Sequence, residues 1–181
     1  MVVSATPAGD LPLLERLKAL GVLSPLDFHF ARQLLGIAGE GSEHVALCAA
    51  LASRAVQQGH VCVDLGRLES APPLDENDEP VTGISWPSAA ELRQALRQSR
   101  LADDADSLAP LWLDAHDRLY LKRYALYEQA LASDLLARAA ALEPVDASAL
   151  EAGLERLFPV KGGARGPTDR QRLAACLCVL R

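Results

Sequence analysis

The sequence predicts an α+β domain that is predominantly α-helical, and three observations carry that prediction. Half of the 181 residues are hydrophobic but only 4% are aromatic, with Ala and Leu dominant; such side chains favour closely packed helices. Apolar residues recur at helical spacing on both sides of the middle of the chain. The extended signals are short: a β-branched run near residue 62 and two alternating runs between residues 111 and 121. Residues 1–181 therefore read as one domain, with a helical N-terminal part (10–41), a mixed centre with a small antiparallel sheet (42–142) and a helical C-terminal part (143–181).

Asp10 to Leu20 is predicted as a first helix, with Leu13, Leu14, Leu17 and Leu20 on one face and Gly21 as its stop. Ser24-Pro25 opens a second: Ser as cap, Pro in the first turn, Asp27 near the positive end of the dipole. Leu26, Phe30, Leu34 and Ile37 recur at i, i+4, i+8 and i+11 and predict its core stripe. Residues 36–41 read as a loop.

Ser42 to Leu68 is the organising stretch. Val45, Leu47, Cys48, Leu51 and Val56 make the helix after Ser42 apolar nearly all round, which predicts burial. Gly59 ends it, and His60 to Asp64 reads as a strand that leads into a short helical turn. The segment SAPPLDENDEPVTG (70–83), with three prolines and four acids, reads as a mobile surface loop.

Ser88 starts a helix with Leu92, Ala95 and Leu96 inward and Arg93, Arg97 and Arg100 outward. After an acidic loop (102–107), Leu111–Leu113 and Arg118–Leu121 flank a four-residue polar turn and predict a hairpin. Tyr124 to Leu142 is expected to turn Tyr127, Leu131 and Leu135 inward. Asp146 to Phe158 carries Ser148 and Glu151 at capping-box spacing and a stripe of Leu150, Leu154 and Leu157. Thr168 and Gln171 offer another capping box before a last apolar helix, Leu173 to Leu180. An apolar helix that ends without a closing loop reads as a chain cut inside a larger protein.

Charge and composition exclude some classes. The net charge is −6; residues 1–110 hold 8 basic and 15 acidic side chains, residues 111–181 hold 10 and 9. Neither half has the basic surplus of a free-standing nucleic-acid binder. No apolar run approaches the ~18 residues of a membrane span, and the first ten residues lack the features of a secretion signal. A cytoplasmic location with no membrane contact is expected. Cys48, Cys62, Cys176 and Cys178 form no C-x-x-C pair and read as thiols in apolar settings, so no metal site is predicted. His60 at a helix end is expected to cap free carbonyls through its imidazole, and His116 to sit in a polar turn; no catalytic residue is assigned.

Helix, strand, helical turn, helix, hairpin is the order of a winged-helix module, in which the strand pairs with the hairpin. The helix before the hairpin can then enter a DNA groove. Arg93, Arg97, Arg100 and Arg118 are the candidate DNA contacts, with Lys122 and Arg123 beside them. Asp103, Asp104, Asp106, Asp114 and Asp117 lie close in sequence and would repel phosphate, so a protein-docking role for this surface is favoured, with Trp86, Trp112 and Tyr120 as candidate interface residues.

Four runs resemble, in order, the N-terminal region of the RecD family: LDFHFA (26–31), GHVCVDL (59–65), DRLYL (117–121) and LFPV (157–160). RecD is the α subunit of exodeoxyribonuclease V, the RecBCD helicase-nuclease. The resemblance covers nearly the whole chain, from about Leu13 onward. It implies a subunit of an ATP-driven 5′-to-3′ DNA helicase that processes double-strand breaks for recombinational repair. ATP and Mg would belong to a motor domain absent from this chain: no G-x-x-x-x-G-K-[ST] occurs, and Lys161-Gly162-Gly163 has the wrong order. No cofactor-binding residue is therefore carried over. The implied role is non-catalytic anchoring of the motor, with RecC-like and RecB-like subunits as partners and DNA reached through the full complex; the alternative is a winged-helix DNA-binding module.

Overall fold

The computed structural model describes residues 10–102, 108–140, 145–159 and 169–180. Along them run α1 (Pro12–Ala19), α2 (Pro25–Ala38), α3 (Glu43–Gln57), β1 (Cys62–Asp64), a 3-10 turn (Leu65–Arg67), α4 (Ala89–Gln98), β2 (Leu111–Leu113), β3 (Arg118–Leu121), α5 (Lys122–Ala140), α6 (Ala147–Leu157) and α7 (Arg170–Leu180). This is the mostly helical α+β architecture that the sequence predicts. The chain divides into two compact units, Met1–Glu128 and Gln129–Arg181.

The first unit is built round α3. Every residue from Val45 to Ser53 is buried, and α1, α2, α4, β1 and β3 all pack against it. Its many alanines let neighbouring backbones approach closely, while Leu47 and Leu51 supply apolar bulk; burying one such side chain stabilises by ~1.5–3 kcal/mol. The Ser42 hydroxyl accepts the Val45 N–H at 3.4 Å and starts the helix. Gly59, at φ +81°, ends it, and the His60 backbone N–H closes the turn on the Ala55 carbonyl at 2.8 Å. The exposed His60 ring is not the capping group that its position suggested; the backbone makes the closing bond.

α2 follows its sequence signals at the start and departs from them in phase. Ser24 and Asp27 form a reciprocal capping box, with Pro25 in the first turn. The buried face, however, is Asp27, Phe28, Ala31 and Leu35, whereas Leu26 and Ile37 are 62% and 67% exposed. Phe30 and Leu34 are half-buried. The expected core stripe is therefore the outer face. Two apolar rows share one helix here, and the small Ala31 and Gly36 mark the row that meets α3. Gly36 is buried within the helix and does not open a loop; α2 runs on to Ala38 and closes on Gly39 at φ +69°.

The acidic segment at 70–83 is fastened, not free. The Asp75 carboxylate accepts the N–H groups of Asn77 and Glu79 at 2.8 and 2.9 Å, folding a local turn. Arg54 on α3 donates to the Val22 carbonyl at 2.8 Å and to the Leu74 carbonyl at 2.9 Å. Val81, Ile84 and Trp86 then pack on the core. The segment is the irregular surface loop that the sequence predicts, and its anchoring contacts come from long-range partners, not local propensity.

β1, β3 and β2 form one antiparallel sheet in that order. β1 pairs with β3 through Cys62↔Tyr120, Val63↔Leu119 and Asp64↔Arg118; β2 pairs through Leu111↔Leu121, Trp112↔Tyr120 and Leu113↔Leu119. The strand after α3 thus joins the hairpin, as the element order implies. Leu111 and Leu119 face the α3 core.

In the second unit α6 packs on α7. Asp146, not Ser148, caps α6, accepting the Ser148 and Ala149 N–H groups at 2.9 and 3.2 Å. Asp169 accepts the N–H groups of Gln171 and Arg172 at 3.0 and 3.1 Å; Thr168, the expected cap, lies outside the described residues. Among the described residues of α6 and α7 no side chain is buried, and Leu150, Leu154 and Leu157 line no closed core. On α5, Tyr127, Leu131 and Leu135 are exposed, against the expectation that they turn inward; the buried residues are Lys122 and Ala125.

Candidate docking site at the hairpin and α4

The hairpin turn is organised by one carboxylate. Asp114 Oδ1 accepts the N–H groups of His116 and Arg118 at 2.8 and 2.9 Å, and Oδ2 accepts the Arg118 Nε–H at 2.6 Å. His116 is exposed there and takes part through its backbone, as the polar-turn reading expects. Asp117 completes the turn at φ +60°, a left-handed conformation that Asp tolerates better than most residues. Its carbonyl accepts the Leu65 N–H at 2.9 Å, binding the turn to the 3-10 segment after β1.

The Asp117 carboxylate is taken by α4. Arg93 Nε donates to Oδ1 at 2.8 Å and Nη2 donates to Oδ2, a two-point pair. The Arg93 hydrogen bond holds the Asp117 carboxyl below the usual carboxylate range. Asp114 is also lowered: burial opposes ionisation, but the bonds from Arg118 and the His116 N–H outweigh it.

These pairings decide what the four candidate DNA arginines can offer. Arg93 is committed to Asp117 and Arg118 to Asp114. Arg97 lines the same groove, about 540 Å3, with Arg93, Leu96, Leu113 and both aspartates. Arg100 lies elsewhere, at a second cleft of about 620 Å3 beside Glu40 and Ser99. The four arginines do not form one cationic surface.

The aromatic candidates separate too. Trp112 and Tyr120 stack across β2 and β3 with ring centroids 5.5 Å apart and planes 29° from parallel. Cys62 lies opposite Tyr120 on β1, so the three side chains cross one face of the sheet. Tyr120 is 3% exposed, and burial together with the nearby Cys62 and Glu128 pushes its hydroxyl up to about 12. Tyr120 thus supports the half-exposed Trp112 and offers little surface itself. Trp86 is half-buried against the core, and among the described residues no ring contact joins it to the pair.

Several organising residues were invisible in the sequence because their partners are distant. Glu40 accepts the Ser99 hydroxyl and the Arg100 N–H at 2.5 and 2.6 Å, tying the α2–α3 turn to the end of α4. Glu43 accepts the Leu13 N–H at 2.5 Å and so serves the start of α1, which has no side-chain cap of its own. Only the acidity of these positions next to helix starts hinted at a role.

A mostly helical unit round a buried helix, with a three-stranded sheet whose hairpin is tied to α4 by paired charges, defines the class: a small α+β domain. Residues 19–120 match the family model described as RecBCD enzyme subunit RecD, N-terminal domain, and the chain belongs to that family. It is 38% identical over 157 residues to the RecBCD enzyme subunit RecD of Mycobacterium tuberculosis, strains CDC 1551 / Oshkosh and H37Rv, covering 86% of this chain and 24% of the relative. The Mycolicibacterium smegmatis protein of the same description is 35% identical over 116 residues, 64% of this chain and 19% of that one. The chain thus spans about a quarter or less of the length of these curated relatives.

Proposed function

We propose that this chain is a non-catalytic N-terminal domain that anchors a RecD-like motor in a RecBCD-type complex, and so serves an ATP-dependent 5′-to-3′ helicase acting on double-strand breaks in recombinational repair. The observation that carries the reading is membership of the RecD N-terminal family across 19–120. The internal pairing of Arg93 with Asp117 and of Arg118 with Asp114 supports docking over phosphate binding, because each ion pair as a unit carries no net charge and its carboxylate would repel a phosphate. RecC-like and RecB-like subunits are the partners in this reading, DNA is reached through the whole complex, and the location is cytoplasmic. No helix among the described residues is long and apolar enough to cross a membrane. ATP and Mg are assigned to the remainder of the subunit, and residues 1–181 act as one docking domain.

The second reading is a winged-helix DNA module, favoured by the β1–β3 pairing and by Arg97 in the α4 groove. Titration of the chain with duplex and forked DNA at low salt separates the two. Anchoring predicts weak binding that is little changed when Arg93, Arg97, Arg100 and Arg118 are replaced by Glu. Tight, salt-steep binding that this replacement abolishes would sink the docking reading.

A further inference from the structure

We infer that the second unit is where the motor sits: the open faces of α6 and α7 are covered by the part of the same subunit that follows Arg181. The inference rests on the anchoring role proposed above and names the surface that the motor occupies.

From Leu173 to Leu180 every side chain of α7 is apolar or a thiol, over about two helical turns, so this stretch has no polar face to turn to water. A helix apolar on every side belongs inside a domain. Among the described residues nothing encloses it. α6 packs against α7, and Ala175 and Cys176 are half-buried. Yet Leu173, Leu177 and Leu180, a row at i, i+4 and i+7, are exposed, and so are Cys178 and Val179, which the helical phase puts on other sides. On α6, Leu157 is exposed and Leu150 and Leu154 are only half-buried.

Two observations choose the occupant. The match to the Mycobacterium tuberculosis relatives takes in 86% of this chain, more than the first unit holds, so the likeness extends into the second. In those relatives the matched region is 24% of a much longer chain, which leaves a large body of the same polypeptide to pack on it. The family model, by contrast, covers 19–120 and stops short of the second unit, so α6 and α7 lie outside the span that defines the N-terminal fold. The shape of the demand points the same way. A second copy or a partner's helix covers one face of a helix, whereas α7 is apolar on all of them. Elements that follow one another in a chain are usually neighbours in space, and a domain that folds round α7 covers several faces at once. That cover is apolar, since Leu173 to Leu180 offers no charge to pair with.

The test labels thiols with a maleimide, read by peptide mass, in this chain and in the complete subunit from the same gene. Cys178 should react fast in this chain and at least about tenfold more slowly in the complete subunit, because a covered thiol reacts only when the fold opens. Leu177→Asp should lower the thermal midpoint of the complete subunit and leave that of this chain unchanged, since the position is covered in one and exposed in the other. Equal Cys178 rates in the two proteins would overturn the inference. So would slow labelling already in this chain, which would mean cover by its own first unit or by a second copy. Protection that appears only when RecC-type and RecB-type subunits are added would overturn it too, and so would a gene that stops at Arg181. Co-purification of the complete subunit with those partners reads the anchoring role separately: Cys178 protected without co-purification would remove that role and leave the cover on α7 standing.

Discussion

Arg93 on α4 and Asp117 at the tip of the hairpin form a two-point ion pair that fixes the hairpin against the helix it follows. The Asp117 carbonyl meanwhile receives the Leu65 N–H, so one residue joins β1, the hairpin and α4. A hairpin that would otherwise be a free wing is locked in place, and a cation that could have met phosphate is consumed.

The lock has a pH signature. Asp117 is held below its ordinary value of 3.8, first by the Arg93 hydrogen bond. A depressed folded-state value means the contribution is complete above the unfolded value and is lost as pH falls through the folded one. Asp117→Asn keeps the left-handed backbone and removes the charge. The gap in thermal midpoint between unmodified protein and variant should be full near about pH 6, begin to shrink only below about pH 4 and close once pH falls below the lowered folded-state value. A gap independent of pH would mean that the pair contributes through shape alone.

Arg54 is expected to hold the acidic segment. Arg54→Met keeps the apolar stem and removes the bonds to the Val22 and Leu74 carbonyls. Two such bonds lost should cost ~1–3 kcal/mol, and amide exchange should rise across residues 72–81 more than in α3. Unchanged exchange there would show that Val81, Ile84 and Trp86 suffice.

Asp27 is buried at the start of α2, accepting from Ser24 and from the Gln57 amide on α3. Asp27→Ala removes the capping box and strands both donors, at a cost of ~2 kcal/mol in chemical denaturation. Asp27→Asn should recover part of it. Equal losses in the two variants would make the negative charge, not the hydrogen bonds, the operative feature.

The thiols offer a test of core packing. Burial pushes Cys48 up to about 12, so at pH 8 it stays protonated and enclosed in α3. An aromatic disulfide reagent should label the exposed Cys178 quickly and leave Cys48 unlabelled until denaturant is added. Prompt modification of Cys48 in native protein would show that the α3 core opens.

Much of the fold was legible because its signals are local. Ser24-Pro25 and Ser42 declare helix starts, Gly59 declares an end, and the alternation on both sides of residues 114–117 declares a hairpin; each acts through bonds made within a few residues. The phase of α2 was not legible, since rows 26/30/34/37 and 28/31/35 have the same period and only the contact with α3 distinguishes them. The pairings of Arg54 with Val22, Glu40 with Ser99 and Arg93 with Asp117 span 24 to 59 residues, and nothing local encodes them. The same limit applied to the site: Arg93, Arg97, Arg100 and Arg118 look alike as a sequence pattern, and their partners set them apart.

The measurement that bears most directly on the account is calorimetric titration of the chain with a purified RecC-type subunit, run beside the same titration with forked DNA. Saturable one-to-one binding to the subunit, with DNA binding weak at moderate salt, is the expected result. No heat with the subunit, together with tight and salt-steep binding of the forked DNA, would contradict it.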